Sequence, residues 1–120
     1  MAKLLYVEDN EMNRDMLSRR LTRRGYEIIM AFDGQAGLDM MRNDAPDLVL
    51  MDMGLPVLDG WEATIQAKAN DSINSIPIIA LTAQALKKDL QKTIDAGCDF
   101  HLTKPVRKTQ LIEAIDRFRL

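Results

Sequence analysis

The sequence predicts an α/β fold with a doubly wound, five-stranded parallel sheet, and two observations lead to that class. Short apolar, β-branched runs alternate with longer amphipathic runs along the 120 residues, and turn residues mark each change. The short runs are mostly continuous in apolar character, as strands buried on both faces require. Such alternation indicates parallel strands covered by helices on both faces and joined by right-handed crossovers.

Five strand-then-helix units account for the chain. The strands are predicted at Lys3–Val7, Glu27–Ala31, Leu48–Met51, Ile78–Leu81 and Phe100–Leu102. The helices are predicted at Glu11–Arg24, Gln35–Asn43, Gly60–Asn70, Gln84–Ala96 and about Lys108–Arg119. The last helix has no good capping residue, so its start is the least defined boundary.

Residues that favour helix ends support these boundaries. Three side chains that can cap a helix N-terminus each precede a helical pattern: Asn10, Asp33 and Asp59. Asp59 and Glu62 also have the spacing of a capping box. Gly25 and Gly97 follow the first and fourth helices, where a helix commonly ends in a left-handed residue.

Composition and charge bound the kind of protein. With 47% apolar and 28% charged residues, the chain is predicted to form one globular domain over residues 1–120. The formal net charge of -2 argues against direct binding of nucleic acid or an anionic membrane. The single cysteine, Cys98, offers neither a disulfide nor a metal-ligand spacing. No apolar run approaches the about 18 residues of a membrane span, so the sequence predicts a cytoplasmic protein.

Polar side chains collect at the predicted ends of the strands. Glu8 and Asp9 follow the first strand, Asp52 the third, Thr82 the fourth and Lys104 the fifth. In an open parallel α/β sheet, ligands bind outside the carboxyl ends of the strands. One crevice is therefore expected to hold three carboxylates, one hydroxyl and one ammonium group.

These residue types indicate phosphoryl chemistry. Carboxylates that share a cleft repel each other unless a cation lies among them, and an all-oxygen set suits Mg²⁺. The chain has no cluster of His or Cys that would indicate zinc. Lys104 and Thr82 would complement the negative charge of a phosphoryl group. Asp52 stands alone on its strand, which makes it the candidate nucleophile; taken singly it would more often be a turn or cap residue.

The chain also carries a set of short motifs in a recognisable order. They are Val7-Glu8-Asp9-Asn10, the run from Asp47 to Met53, Leu55-Pro56, Asp59-Gly60, Ala80-Leu81-Thr82-Ala83 and Lys104-Pro105. Over essentially the whole chain, this set resembles the bacterial response-regulator receiver domain of two-component signalling. The resemblance implies a flavodoxin-like receiver fold with strand order 2-1-3-4-5 and five helices.

The resemblance also implies the roles of the site residues. Asp52 would accept phosphate from a sensor histidine kinase or a histidine phosphotransfer protein. Asp9 and Asp52 would bind Mg²⁺ directly, together with the main-chain carbonyl of Gly54, while Glu8 would act largely through water. Thr82 and Lys104 would hold phosphoryl oxygens, and the bond from Lys104 to Pro105 would be cis, against about 5–6% of X-Pro bonds in general.

Three positions depart from, or vary within, the family pattern. His101, three residues before Lys104, stands where the family usually has the aromatic switch residue that is coupled to the Thr82 hydroxyl. We expect it to act as a rotameric switch, with a packed or half-exposed ring as the alternative. Gly54 and Gln84 lie where the family tunes the lifetime of the acyl phosphate, and Gln84 is expected to orient a water.

Two surfaces are candidates for docking. The resemblance implies a surface made of the fourth helix, the fifth strand and the fifth helix, and Lys87 and Lys88 make its start basic. On the first helix, Met12 and Met16 fall at the edge of the inward stripe and are surrounded by arginines. Flexible Met side chains rimmed by Arg suit docking on a kinase or phosphotransfer helix.

The sequence therefore predicts a stand-alone response regulator, a phosphoacceptor that assists its own phosphorylation and dephosphorylation and is otherwise not an enzyme. It would pass the signal to a downstream target protein or relay the phosphate. One alternative is a receiver domain excised from a hybrid sensor kinase, which the stretch from Asn10 to Arg14 also resembles. Another is a phosphorylation-independent scaffold on the same fold. A third alternative, a small hydrolase or a flavodoxin-like cofactor protein, is disfavoured, since Glu8 and Asp9 stand where a flavin would need a phosphate loop.

Overall fold

Strands and helices alternate strictly along the chain. Within residues 2–83, 87–118 and 120, the computed structural model has five strands and five helices. The strands are β1 (Lys3–Val7), β2 (Glu27–Ala31), β3 (Leu48–Asp52), β4 (Ile78–Thr82) and β5 (Phe100–Thr103). The helices are α1 (Glu11–Arg23), α2 (Gly34–Asp44), α3 (Gly60–Lys68), α4 (Lys87–Ala96) and α5 (Lys108–Asp116).

All strand pairs are parallel, in the order β2-β1-β3-β4-β5. This confirms the predicted doubly wound sheet and the strand order that the resemblance implied. The third, fourth and fifth strands each run one residue further than predicted, because Asp52 pairs with Leu81 and Thr82 with Thr103. Asp52 and Thr82 are thus the last residues of rigid strands rather than the first residues of loops.

The helix boundaries agree with the sequence except at some ends. Helix α3 stops at Lys68 rather than at Asn70, because the N–H of Ala69 already bonds to Ile65 and Ala67 in a tightened last turn. Helix α5 ends at Asp116 rather than about Arg119, which lies outside the described residues. The predicted start of the fourth helix at Gln84 also lies outside them, and the described helix begins at Lys87.

The three predicted N-caps are confirmed. Each cap side chain accepts a hydrogen bond from the backbone N–H three residues on: Asn10 at 3.0 Å, Asp33 at 2.7 Å and Asp59 at 2.8 Å. The Glu62 side chain accepts a hydrogen bond from the Gln66 side chain. The hydrogen bond of the capping box that is observed is therefore the one from the Glu62 N–H to the Asp59 side chain. Gly25 and Gly97 have φ values of 95° and 102°, a left-handed conformation that glycine adopts without strain.

The core lies on both faces of the sheet. One face, here called the α1/α5 face, packs alternate strand residues such as Leu4, Tyr6 and Leu50 against α1 and α5. The opposite face, the α2/α3 face, packs the intervening residues such as Val49 and Ala80 against α2 and α3. Because side chains alternate along a strand, this division also decides the face on which each site residue lies.

Two further expectations concern membranes and the cysteine. Among the described residues, no helix has both the length and the apolar character that a membrane crossing needs. Cys98 is half-buried, and its Sγ lies 3.8 Å from the Thr64 hydroxyl. Burial raises the pKa of the Cys98 thiol, which favours a structural role over a reactive one.

Candidate functional site

Strand alternation brings two carboxylates together at the carboxyl edge of the sheet. Leu4 and Tyr6 lie on the α1/α5 face of β1, and Glu8 continues their row. Leu50 lies on the same face of β3, and Asp52 continues that row. Since Val7 pairs with Met51, Glu8 and Asp52 come next on adjacent strands.

Glu8, Asp9 and Asp52 form an acidic cluster. Each offers one carboxylate oxygen, and these oxygens all lie within 4.8 Å of one another. Glu8 is 1% and Asp52 6% exposed, whereas Asp9 is exposed at the rim. Hard oxygen donors in this arrangement fit Mg²⁺ or a similar divalent cation. The three carboxylates that were predicted to share one crevice therefore lie close together in the fold.

Lys104 approaches the cluster from the end of β5. Its Nζ lies 3.1 Å from Asp52 Oδ1 and 3.4 Å from Glu8 Oε1. The peptide bond between Lys104 and Pro105 is cis, as the resemblance implied. Burial by itself would lower the pKa of Lys104, but the carboxylates of Asp52 and Glu8 outweigh it and raise the pKa. The ammonium group therefore stays charged and partly neutralises the cluster.

Burial and repulsion within the cluster both raise the pKa of Glu8. Burial raises its pKa above the ordinary value, and the neighbouring Asp52 carboxylate raises it further. Lys104 and the backbone N–H of Asn10 act in the opposite direction. A second cation in the cluster would relieve this repulsion.

Thr82 ends β4 on the α2/α3 face, in the row of Ile78 and Ala80. It is 2% exposed, and its Oγ1 has no hydrogen-bond partner among the described residues. A buried hydroxyl without a partner is costly in a protein interior. Thr82 thus holds an unused donor at the edge where Asp52 and Lys104 meet.

His101 lies on β5 opposite Ala80, one pleat away from Thr82 on the same face. Its ring is half-buried and stacks on Phe100 with centroids 6.1 Å apart. This is the place that a residue coupled to the Thr82 hydroxyl would need. Its role as a rotameric switch remains a prediction.

The loop after β3 holds the Asp52 side chain and backbone. The N–H of Gly54 donates to Asp52 Oδ1 at 3.2 Å, and Gly54 itself is exposed. Gly60, the first residue of α3, is packed so closely that an added Cβ would lie 2.4 Å from the Asp52 carbonyl oxygen. Gln84, the other residue predicted to tune phosphate lifetime, lies outside the described residues.

The predicted docking side chains are on the surface. Met12 and Met16 are 80% and 52% exposed and border a groove of about 390 Å³ with arginines of α1. Lys87 and Lys88 are exposed in the first turn of α4. Lys88 also borders a groove between α3 and α4.

Three residues around Glu8 were not anticipated as part of the site. The Tyr6 hydroxyl donates to Glu8 Oε1 at 3.2 Å, and Asn13 Nδ2 lies 3.5 Å from the same oxygen. Arg14 Nη1 donates to the Glu8 carbonyl at 2.9 Å, while its guanidinium lies 4.0 Å from the ring centre of Phe32. Arg14 therefore stabilises the backbone at Glu8 and is not only a surface residue. The feature of the sequence that could have identified Tyr6 is its position two residues before Glu8, which places both side chains on the same face of β1.

The Tyr6 phenol remains protonated. Burial raises its pKa, and the Glu8 carboxylate raises it further. The hydroxyl consequently acts as a hydrogen-bond donor throughout the accessible pH range.

Proteins of known sequence are similar to this chain over nearly its whole length. The polar-differentiation response regulator DivK of Brucella anthropi is 37% identical over 115 residues, which are 96% of this chain and 94% of that protein. The same regulator of Brucella ovis is 36% identical over an equal span.

Solved structures agree in fold. The receiver domain of sensor histidine kinase PA1611 from Pseudomonas aeruginosa, which has a magnesium ion coordinated in its active site cleft, superposes with a TM-score of 0.91 at 35% identity. That comparison covers 98% of this chain and 96% of the other. Vibrio cholerae chemotaxis protein CheY4 superposes with a TM-score of 0.91 at 29% identity, covering 98% of both chains.

Residues 4–116 match the family described as the response regulator receiver domain. Apart from Lys3, the first residue of β1, the match covers the strands and helices of the described residues, and it contains the acidic cluster, Thr82 and Lys104. Sequence, fold and relatives thus agree: the chain belongs to the response regulator receiver domains of two-component signalling.

Proposed function

We propose that Asp52 accepts a phosphoryl group from the phosphohistidine of a sensor histidine kinase or a histidine phosphotransfer protein. The observation that carries this proposal is the setting of the Asp52 carboxylate. It is nearly buried, lies 3.1 Å from the Lys104 ammonium, and shares its edge of the sheet with the Thr82 hydroxyl, which has no hydrogen-bond partner among the described residues. Such a setting provides a nucleophile and, beside it, two donors for phosphoryl oxygens.

In the proposed step, an Asp52 carboxylate oxygen attacks phosphorus and the bond from phosphorus to the imidazole nitrogen breaks. The product is an acyl phosphate on Asp52 and a free histidine on the donor. Lys104 moves from a carboxylate partner to a phosphoryl oxygen, and Thr82 donates its free hydroxyl to another. Both contacts are strongest when charge is spread over the transferring group, so they favour the transition state.

The residues proposed to hold Mg²⁺ are Asp9, Asp52 and the Gly54 carbonyl, with Glu8 acting largely through water. The carboxylate oxygens of Glu8, Asp9 and Asp52 lie within 4.8 Å of one another, and together with the Gly54 carbonyl they would form the hard donor set that this cation prefers. When bound, Mg²⁺ supplies positive charge that lets carboxylates and phosphoryl oxygens share one cleft.

The output is proposed to be a change of the surface formed by α4, β5 and α5. Once Thr82 turns to the phosphoryl group, the space beside it on the α2/α3 face opens to the His101 ring. His101 would then change rotamer and alter that surface for a downstream target protein, or the phosphate would be relayed. Free and phosphomimetic structures would contradict the switch if the His101 ring and the Thr82 side chain kept their positions.

The protein is proposed to act as a phosphoacceptor rather than as an enzyme with a separate substrate. Its own residues assist both the gain and the loss of its phosphate, and Gly54 and Gln84 set the lifetime. Gly54 has no side chain with which to position or block a water. The proposal places this activity in the bacterial cytoplasm, where its kinase partner would phosphorylate it.

Phosphorylation with acetyl phosphate and Mg²⁺, followed by intact mass, tests the phosphoacceptor role. We expect one phosphoryl adduct on the wild-type protein and on Asp39→Asn, a control that alters an exposed carboxylate of α2. Asp52→Asn should give none, and chelation of Mg²⁺ should suppress the wild-type adduct. A wild-type protein without adduct, or an adduct that survives in Asp52→Asn, would support the scaffold alternative.

The kinase-docking role of α1 has its own test. Replacing both Met12 and Met16 by Ser removes apolar contact from side chains that are already exposed, so the fold should be unaffected. Phosphotransfer from a histidine kinase should slow, whereas phosphorylation by acetyl phosphate should keep its rate. Unchanged transfer from the kinase would remove the proposal.

Lys87 and Lys88 are proposed to belong to the output surface. Reversing their charge to Glu should weaken binding of the downstream target and leave phosphorylation of Asp52 unchanged. Equal target binding by the variant would exclude this part of the surface.

The stand-alone role is proposed over that of a receiver within a hybrid kinase. DivK is named a response regulator, which favours the first, whereas the PA1611 receiver domain belongs to a sensor histidine kinase. The size of the natural product in cell extracts, detected with an antibody to this domain, distinguishes the two.

A further inference from the structure

A tyrosine lies directly beneath the acidic cluster, inside the core. Tyr6 is 2% exposed and packs among the residues of the α1/α5 face. It precedes Glu8 by one pleat of β1, so both side chains point to the same face. Its hydroxyl reaches Glu8 Oε1 at 3.2 Å. A core position that needed only an aromatic ring would not require this hydroxyl.

The donors around Glu8 differ in how firmly they are held. Oε1 faces the Tyr6 hydroxyl at 3.2 Å, Lys104 Nζ at 3.4 Å and Asn13 Nδ2 at 3.5 Å. Lys104 is closer to Asp52, at 3.1 Å, and Asn13 lies at the limit of a hydrogen bond. Oε2 accepts from the N–H of Asn10 at 3.3 Å.

Tyr6 is therefore the side-chain donor committed to Glu8, while the backbone N–H of Asn10 holds the other carboxylate oxygen. Its ring is packed within β1 and the core, so the hydroxyl stays in place when Lys104 turns towards a phosphoryl group. Partners of this kind commonly orient groups at a metal site, and their loss typically lowers metal affinity by about 10–100-fold.

We propose that Tyr6 is a positioning residue for the Mg²⁺ site, whose hydroxyl holds the Glu8 carboxylate in the orientation that the bound cation requires. This inference rests on the proposed metal site and assigns a further residue to it. Tyr6 does not touch the metal or the phosphoryl group; it acts through Glu8.

Binding of Mg²⁺ to the unphosphorylated protein, measured by isothermal titration calorimetry, tests the proposal. Tyr6→Phe keeps the packed ring and removes only the hydroxyl. We expect its dissociation constant for Mg²⁺ to rise by about 10-fold, the lower end for such partners because Glu8 acts through water.

Tyr26→Phe is the matched control. The Tyr26 hydroxyl also donates to a carboxylate, that of Asp116, at 3.3 Å. That pair lies at the amino edge of the sheet, beside the start of β2, so Mg²⁺ affinity should not change. A purely structural role of Tyr6 would lower the urea midpoint of Tyr6→Phe and leave its Mg²⁺ affinity equal to that of the wild type.

Tyr6→Phe in a Glu8→Ala background, which lacks the acceptor of the Tyr6 hydroxyl, separates the remaining outcomes. If Tyr6 acts through Glu8, the double variant binds Mg²⁺ as Glu8→Ala does. A further loss in the double variant, or equal affinity of the wild type and Tyr6→Phe, overturns the inference while leaving the metal site intact. A wild-type protein that does not bind Mg²⁺ overturns the proposed metal site and the inference with it.

Discussion

Removal of the Lys104 ammonium group would leave the acidic cluster without its internal counterion. Lys104→Met keeps a side chain of similar length and removes the charge that lies 3.1 Å from Asp52 and 3.4 Å from Glu8. We expect the metal-free domain to lose stability, because two carboxylates that are only 1% and 8% exposed would be left without their counterion.

The magnitude follows from the two distances. At an effective dielectric constant of about 20, each contact contributes about 5 kcal/mol of Coulomb attraction. Most of this is offset by the desolvation of the three groups. The Lys104 side chain is also 27% exposed, which reduces the loss below the about 3–5 kcal/mol of a fully buried broken pair. We expect Lys104→Met to lower the free energy of unfolding by about 2–3 kcal/mol at pH 8.

The loss should depend on pH through Glu8. Its native pKa is raised by burial and then by Asp52, and removal of the lysine raises it further. At pH values between the ordinary pKa and the raised native pKa of Glu8, the native state binds more protons than the unfolded state. The free energy of unfolding therefore falls as the pH rises through this range. The deficit of Lys104→Met should therefore be smaller at pH 5 than at pH 8, because the raised pKa favours the protonated, uncharged form of Glu8 at the lower pH.

Urea unfolding followed by the fluorescence of the single tryptophan measures these effects. The titrations are made at pH 5 and pH 8, with and without Mg²⁺, and saturating Mg²⁺ should restore much of the stability of Lys104→Met. Lys68→Met is the control, since Lys68 Nζ lies 2.9 Å from Asp99 and is 21% exposed, outside the acidic cluster. Equal stability of Lys104→Met and wild type at pH 8, or equal Mg²⁺ rescue of both variants, would refute the reasoning.

Four other substitutions have expected outcomes. Glu8→Gln should raise the free energy of unfolding of the metal-free domain at pH 8 by about 1 kcal/mol, since it removes one repelling charge while keeping most hydrogen bonds; a urea titration without gain would contradict this. Gly60→Ala should cost about 1–3 kcal/mol and slow acetyl phosphate labelling, because its Cβ would displace the Asp52 backbone. Gly54→Ala, with open space around the added Cβ, should be near neutral in the same urea titration. Thr93→Val removes the hydroxyl that accepts a hydrogen bond from the indole N–H of Trp61 in α3. It should lower the free energy of unfolding, measured by urea titration, by about 1 kcal/mol.

Local patterns in the sequence were sufficient for the elements and their order. Asn10, Asp33 and Asp59 cap helices because a short polar side chain can reach a backbone N–H three residues on, which is a local property. The ends of β3 and β4 were predicted one residue too early, because pairing with the neighbouring strand decides where a strand ends. Asp52 and Thr82 belong to strands since Leu81 and Thr103 lie opposite them.

The surroundings of Glu8 show where local patterns stop. Tyr6 looked like one more apolar residue of a buried strand, and Arg14 like one of several surface arginines. The fold turns Tyr6 towards the Glu8 carboxylate and brings Arg14 back over its carbonyl. Neither contact follows from residue type: the Tyr6 contact depends on the side-chain directions within β1, and the Arg14 contact depends on the angle at which α1 leaves β1.

By itself the sequence determined the fold class, the set of polar groups at the carboxyl edge and the family, since periodicity and motif spacing are carried along the chain. Only the tertiary structure decided how those groups are partnered. It places the Lys104 ammonium between two carboxylates, leaves the Thr82 hydroxyl without a partner among the described residues, and sets Tyr6 beneath Glu8. The physical reason is that partners far apart in sequence are selected by sheet register and strand face, which no single segment of the chain specifies.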